Sequence, residues 1–326
     1  MGHNLAEKIK SGGSRLVFYS LTPPKITNGQ EKIAEIAKVQ IARLSDHDID
    51  GLILYDIQDE STRTGQERTF AFIPTLSPEQ YSRTYLQSLD VPLIIYKSIA
   101  NMNGEQFNQW LTENKDIKHA VFVGASSQQQ IELTNFSLQD AYTLRQQVAP
   151  DLLLGGITIP ERHNKKGDEH LRITGKVGQG CSFFVSQCVY NINDTKDLLA
   201  DYYYHSNSTG MTPSPVIFTL APCGSLKTLE FMEWLGIKVP KWLYNDLKHS
   251  KDILQSSIQT CLNVASELLE YADKKNMSIG FNIESVSIKK DEIAASVELL
   301  SEVIKLGKQP VKTVVQRQPT AIPEVI

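Results

Sequence analysis

The sequence predicts a single-domain α/β protein built as a closed (β/α)8 TIM barrel, and three observations carry that prediction. Eight short apolar or β-branched runs recur at similar intervals, amphipathic stretches of helical period fall between them, and 326 residues suit one large barrel. The candidate strands are Arg15 to Ser20, Gly51 to Tyr55, Pro92 to Tyr96, Ala120 to Gly124, Leu152 to Ile159, Ser182 to Val189, Pro215 to Leu220 and Ser278 to Ile283. Glu31 to Leu44, Pro78 to Leu89, Gly104 to Thr112, Leu138 to Gln147 and Lys196 to Tyr204 read as the intervening helices, most of them opened by Ser, Asn or Asp caps. Alternation of this kind requires parallel strands joined by crossover helices.

After the seventh strand the pattern is elaborated. Ser225 to Leu235, a Gly236-Ile237-Lys238-Val239-Pro240 break, and Lys241 to Leu247 precede the long helix Asp252 to Ala272. The last helix, Lys289 to Leu306, places Ile293, Ala294, Val297, Leu300, Val303 and Ile304 in one stripe that can close the outer ring. Residues 15–307 are therefore expected to form the barrel, with 1–14 a polar N-terminal segment and 308–326 an extended tail. Lying over the barrel or reaching a neighbouring subunit are both open to that tail, which leaves a homo-oligomer open as well.

Composition excludes several function classes. A formal charge of -4 gives no basic surplus for a phosphate backbone, so nucleic acid is not an expected partner. No segment approaches the apolar length of a membrane span, so no membrane is expected. Cys181, Cys188, Cys223 and Cys261 lack any CxxC spacing and read as buried reduced thiols of a cytoplasmic protein. The glycine-bearing turns Ser11 to Ser14 and Gly124 to Ser127 match neither a phosphate loop nor a Rossmann spacing.

Candidate chemistry gathers where predicted strands end, because the C-terminal rim of such a barrel is where side chains from separate strands converge. The second strand ends in Tyr55-Asp56-Ile57-Gln58-Asp59-Glu60, followed by Arg63 and Arg68, a loop able to position a polar substrate or to set one carboxyl apart for proton transfer. Asp56 and Glu60 are the preferred members, and ordinary solvated ion pairs are the competing account. The fifth strand ends in Pro160-Glu161-Arg162-His163, then Asp168-Glu169-His170, where a carboxylate and a histidine can share acid/base work or hold a cofactor. Asp168, Glu169 and His170 are consecutive and cannot all face His163 from one helix, so a metal site is not expected. In the sixth strand Gln187 shares a face with Phe183 and Val185, and its amide could bond a heteroaromatic ring.

These segments together resemble the methylenetetrahydrofolate reductase family over nearly the whole chain. The likeness runs through Tyr19-Ser20-Leu21-Thr22-Pro23-Pro24-Lys25, Ile117-Lys118-His119-Ala120-Val121, Pro160-Glu161-Arg162-His163, Lys176-Val177-Gly178-Gln179-Gly180, Phe184-Val185-Ser186-Gln187 and the Gly236 to Pro240 break. The resemblance implies a barrel carrying FAD at its C-terminal face, with NADH or NADPH as reductant, that reduces a folate-bound one-carbon unit in methionine biosynthesis. It further implies that His163, Glu169 and Lys176 contact the flavin and Gln187 the pterin. Tyr55 and Ser126 are further expected to contact the cofactor, and Gln58 and Ser20 the substrate.

Departures from the family pattern bear on the chemistry. Ser20 stands where the family has its proton-donating glutamate, so Asp56, Glu60 or Glu161 is expected to supply the acid. Ile94 replaces a flavin-contacting histidine, Gly124-Ala125-Ser126 replaces Arg-Gly-Asp, and Leu226 takes the place of an aromatic that covers the substrate. Two readings follow: an oxidoreductase transferring hydride to a folate one-carbon unit, or a folate- or heterocycle-binding or regulatory protein that has lost flavin chemistry.

Overall fold

The computed structural model describes residues 5–59, 69–124 and 132–309. Eight strands are present: β1 (Val17–Leu21), β2 (Gly51–Leu54), β3 (Leu93–Ser98), β4 (His119–Val123), β5 (Leu153–Thr158), β6 (Cys181–Cys188), β7 (Val216–Leu220) and β8 (Ile279–Ile283). All neighbours pair in parallel and in chain order, and β8 returns to β1 through Tyr19 opposite Ile283, so the sheet closes as a barrel. Every expected strand is found, as a (β/α)8 barrel requires.

Strand alternation divides the core in two. Phe18, Ile53, Ile94, Val121, Leu153, Phe183, Val185 and Ile217 fill the interior, while Tyr19, Leu54, Ile95, Phe122, Leu154, Phe184, Phe218 and Phe281 pack under the helices. Gly155 and Gly156 make room for two phenylalanines of the next strand. A Cβ on Gly155 would lie 2.5 Å from the ring of Phe183 inside, and one on Gly156 would lie 2.7 Å from Phe184 outside.

The helices are α1 (Leu5–Lys10), α2 (Gln30–Leu44), α3 (Pro78–Tyr85), α4 (Gly104–Glu113), α5 (Leu138–Val148), α6 (Pro160–Lys166), α7 (Glu169–Gly178), α8 (Ile192–Thr209), α9 (Leu226–Trp234), α10 (Lys241–His249), α11 (Ile253–Asp273) and α12 (Lys290–Gly307). The elaboration after β7 is as expected, with Gly236 in the left-handed region at φ 89° where α9 gives way to the turn before α10. Reading 1–14 only as a polar segment misses α1. Its Leu5 and Ile9, one turn apart, join Leu16, Phe18 and Phe183 in the interior cluster and stopper the N-terminal end of the cylinder. So short a helix is unstable alone. Burial of the two side chains contributes roughly 3–6 kcal/mol and holds it in place, with Lys8 bonded to Asp50 at the base.

Residues 310–326, most of the expected tail, lie outside the described residues. The described end of the chain is tied to the barrel's start, since Arg15 donates to the carbonyl of Gly307 at 3.0 Å and to Asp273 at 2.8 Å. All four cysteines are buried and unpaired. No described helix is long and apolar enough to cross a membrane.

Candidate ligand site at the barrel mouth

Above the apolar filling, inward positions of four adjacent strands become polar. Ser20 at the top of β1 donates to Oδ1 of Asn282 in β8 at 2.6 Å, and the amide of Asn282 donates to Thr219 Oγ1 in β7 and to Tyr55 Oη beyond β2, both at 3.2 Å. Tyr55 in turn donates to Glu284 Oε2 at 2.6 Å. Among the described residues no side chain donates to the other carboxyl oxygen of Glu284. Burial pushes the Glu284 carboxyl up, opposed by the bond from Tyr55, and burial beside that carboxyl pushes the Tyr55 hydroxyl well up.

The opposite side of the mouth is apolar. Tyr96 meets Tyr55 edge to face at 4.9 Å, and Val123 and Ile157 pack on the interior cluster with them. The mouth thus pairs a row of hydrogen-bonding groups with an aromatic and aliphatic wall, which suits a flat heterocycle bearing polar atoms along one edge.

Of the residues singled out from sequence, Ser20 and Tyr55 belong to this ring. Asp56 and Gln58 do not. One residue past Tyr55 the alternation reverses, and Asp56 accepts the backbone N–H of Ser98 at 2.9 Å and the amide of Gln58 at 2.8 Å, near Lys97 and Glu79. Burial raises the Asp56 carboxyl, with Lys97 opposing. It is a strand-end clamp, not an acid facing the mouth. Glu60 and Ser126 lie outside the described residues.

The Glu161 to Lys176 group also departs from expectation. Pro160 fits the first turn of α6, and Gly167 ends it in the left-handed region at φ 67°, so the polar run after β5 is a helix on the rim. Glu161 is buried against the backbone N–H of Lys238 and beside Asp194, and loss of water pushes its carboxyl up to about 7. Oε2 of Glu161 has no partner among the described residues, as a protonated acid tolerates best.

Glu169 is fully buried and accepts from the backbone N–H of Ile159 at 2.9 Å, from Thr158 Oγ1 at 3.2 Å and from Arg162 at 3.2 Å, clamping the β5–α6 corner. Lys176 donates to the carbonyl of Ile157, and burial lowers its pKa. His163 turns to the helical layer, where Nε2 lies 3.1 Å from Asp201 of α8 and the ring meets His170 edge to face at 5.4 Å.

Gln187 stands at the rim, but its amide donates to the carbonyl of Leu235 at 2.7 Å, and the register shift between Val185 and Cys188 interrupts the alternation that would point it inward. Glu161 and Gln187 therefore both address the 235–238 turn, while His163 lies on another surface. Asn282 and Glu284 were missed. Their signal was a polar residue inside the apolar run Ile279 to Ile283 with an acid directly after it, the same pattern that drew attention to the end of β5.

A scan against protein-family models and a search of curated proteins return no match. Among solved structures, an uncharacterized protein from Clostridium thermocellum that binds two copies of 5-methyl-5,6,7,8-tetrahydrofolic acid is 44% identical, with 93% of this chain and 99% of that chain covered and a TM-score of 0.82. A GH113 beta-1,4-mannanase, at 12% identity, 89% and 98% coverage and a TM-score of 0.50, shares the fold alone. Identity at that level along nearly the full length of both chains places this protein in the same family as the Clostridium thermocellum protein.

Proposed function

We infer that the chain binds a reduced folate of the 5-methyltetrahydrofolate kind, with the pterin in the barrel mouth. The observation that carries this reading is the 44% identical relative, which shares the fold and binds two copies of that molecule. The chemistry of the mouth supports it. A reduced pterin presents a ring N–H and an amino group side by side, a donor pair that a carboxylate such as Glu284 accepts through two oxygens. Asn282, Ser20 and Tyr55 extend the row of partners, and Tyr96 with Ile157 offers the wall against which the ring lies.

The second reading, flavin-dependent hydride transfer with FAD and NADH or NADPH, finds less support in these side chains. Serine at position 20 is no acid near neutrality. Glu169 and Lys176 hold the β5–α6 corner and a backbone carbonyl, and His163 faces Asp201. Those residues do not fit a flavin as they stand, because each is already engaged by the chain itself. Binding without hydride transfer is the function proposed.

Calorimetric titration with 5-methyltetrahydrofolate tests it. Wild type should bind, and Glu284→Gln should weaken binding by about 2 kcal/mol, or roughly 30-fold, as expected for a lost hydrogen bond to a charged group. No binding by wild type, or equal affinity in the variant, overturns the assignment of the mouth. A purified protein that carries flavin absorbance and is bleached by NADH or NADPH would restore the reductase reading.

A further inference from the structure

We propose that the helical layer outside β5 carries a binding site for a divalent transition-metal ion of the zinc class, formed by His163 of α6, His170 of α7 and Asp201 of α8, with His205 one turn further along α8. One donor atom from each of His163, His170 and Asp201 lies within 4.8 Å of the other two. The closest pair, His163 Nε2 and Asp201 Oδ2, is 3.1 Å apart, and two ligands held tetrahedrally at zinc's usual bond lengths sit about 3.3 Å apart.

Ring positions agree with a shared ion. An imidazole nitrogen bound at about 2.0–2.1 Å puts its ring centre about 3.2 Å from the metal, so two such rings at the tetrahedral angle have centres about 5 Å apart. The His163 and His170 centroids are separated by 5.4 Å, and those of His170 and His205 by 5.4 Å as well.

Unused donor capacity is the second, independent observation. The buried Nδ1 of His170 has no partner among the described residues, while His163, 5% exposed, turns its Nε2 to Asp201. Buried polar atoms are normally satisfied. A cation held between His163 Nε2 and Asp201 would give the orphaned His170 Nδ1 a partner, and the half-exposed Asp201 gives it a way in through the open cleft that Asp201 shares with His163, Asn164 and Asp197. Imidazole with carboxylate selects zinc, cobalt, nickel or copper over the hard cations magnesium and calcium. The consecutive Asp168-Glu169-His170 run supplies only His170 to this set. The third ligand, Asp201, comes from α8, where His205 four residues on shares its helix face.

The test titrates cobalt(II) and zinc(II) into chelator-treated full-length protein. Wild type should bind one ion per chain with visible cobalt d–d absorption, while Asp201→Asn and His170→Asn each weaken binding at least about tenfold. Asp201 is exposed and neither residue faces the barrel mouth, so both variants should keep their thermal unfolding in chelator and their affinity for 5-methyltetrahydrofolate. The proposal fails if wild type shows no saturable binding at micromolar cobalt or zinc, if both variants bind like wild type, or if magnesium binds as well as zinc.

Discussion

The rim above β8 and the rim above β5 have nearly the same raw material, a strand that runs into carboxylates, yet they end in opposite places. Glu284 enters the mouth and is bonded by Tyr55, whereas Glu161 and Glu169 fold back into the helical layer and serve the chain itself. What separates them is the path of the backbone. β8 continues extended, with Glu284 donating its N–H to Leu220 and keeping the inward parity of Asn282. After β5 the chain bends at Pro160 into α6, and its acids are carried over the edge of the cylinder. An acid at a strand end thus faces the barrel mouth only while the strand's alternation persists.

The sharpest break of this comparison is Glu169→Ala. Removing the carboxylate strands the Ile159 N–H, Thr158 and Arg162, and should cost about 4 kcal/mol in denaturant unfolding, since breaking a buried ion pair from one side leaves its partner uncompensated. Folate affinity of the folded fraction should change less than about twofold, the converse of Glu284→Gln, where binding falls by roughly 30-fold and unfolding barely shifts.

Next in size is the pH response of Glu161. Its folded carboxyl holds a proton up to about 7, while in the unfolded chain it ionises near the ordinary glutamate value. Between those limits the native state binds more protons, so stability is full below the ordinary value and falls as pH rises through about 7, by about 3 kcal/mol in all. Glu161→Gln should flatten that slope. Denaturation at several pH values, with chelator present, reads the difference, and parallel curves for the two proteins would show that Glu161 is not a buried neutral acid.

Gly155→Ala comes third. Its new methyl meets the Phe183 ring head-on in the interior, and overpacking of this kind should cost about 2 kcal/mol of unfolding free energy. The smallest effect belongs to Asp56→Asn. Because Asp56 turns away from the ring that Tyr55 joins, folate affinity should move by less than about twofold in the same titration, and a loss as large as that of Glu284→Gln would bring the β2 loop back into the site.

Sequence made the barrel legible because its strands are buried on both faces, and runs such as Gly51 to Leu54 or Val216 to Leu220 carry little polarity to confuse the pattern. The rim was legible only where parity survived. Helix α6 reads Pro160 to Lys166 with no apolar period at all, and the side chains it buries are Pro160, Glu161 and His163, so no hydrophobic stripe announces it. The likeness to the reductase family raised Ser20 and Gln187 for contact with substrate. Ser20 does stand in the mouth, while Gln187 follows a register shift that no alternation rule foresees. Asn282 and Glu284 escaped because a single polar residue in a short strand reads as a satisfied core group until its neighbours on β1, β2 and β7 are known. The His163, His170 and Asp201 cluster was hidden for a related reason: its members come from three helices, two of them unforeseen.

Leu5 and Ile9, seated under Phe18 and Phe183, have a kinetic consequence. With packed side chains filling the cylinder above that plug, an arriving ring can reach the mouth only from the C-terminal rim, and the solvent it displaces leaves by the same side. If the proposed ligand enters and leaves past Glu284, a bulkier side chain at the rim should slow both steps, whereas Glu284→Gln, which only removes a contact, should mainly speed departure.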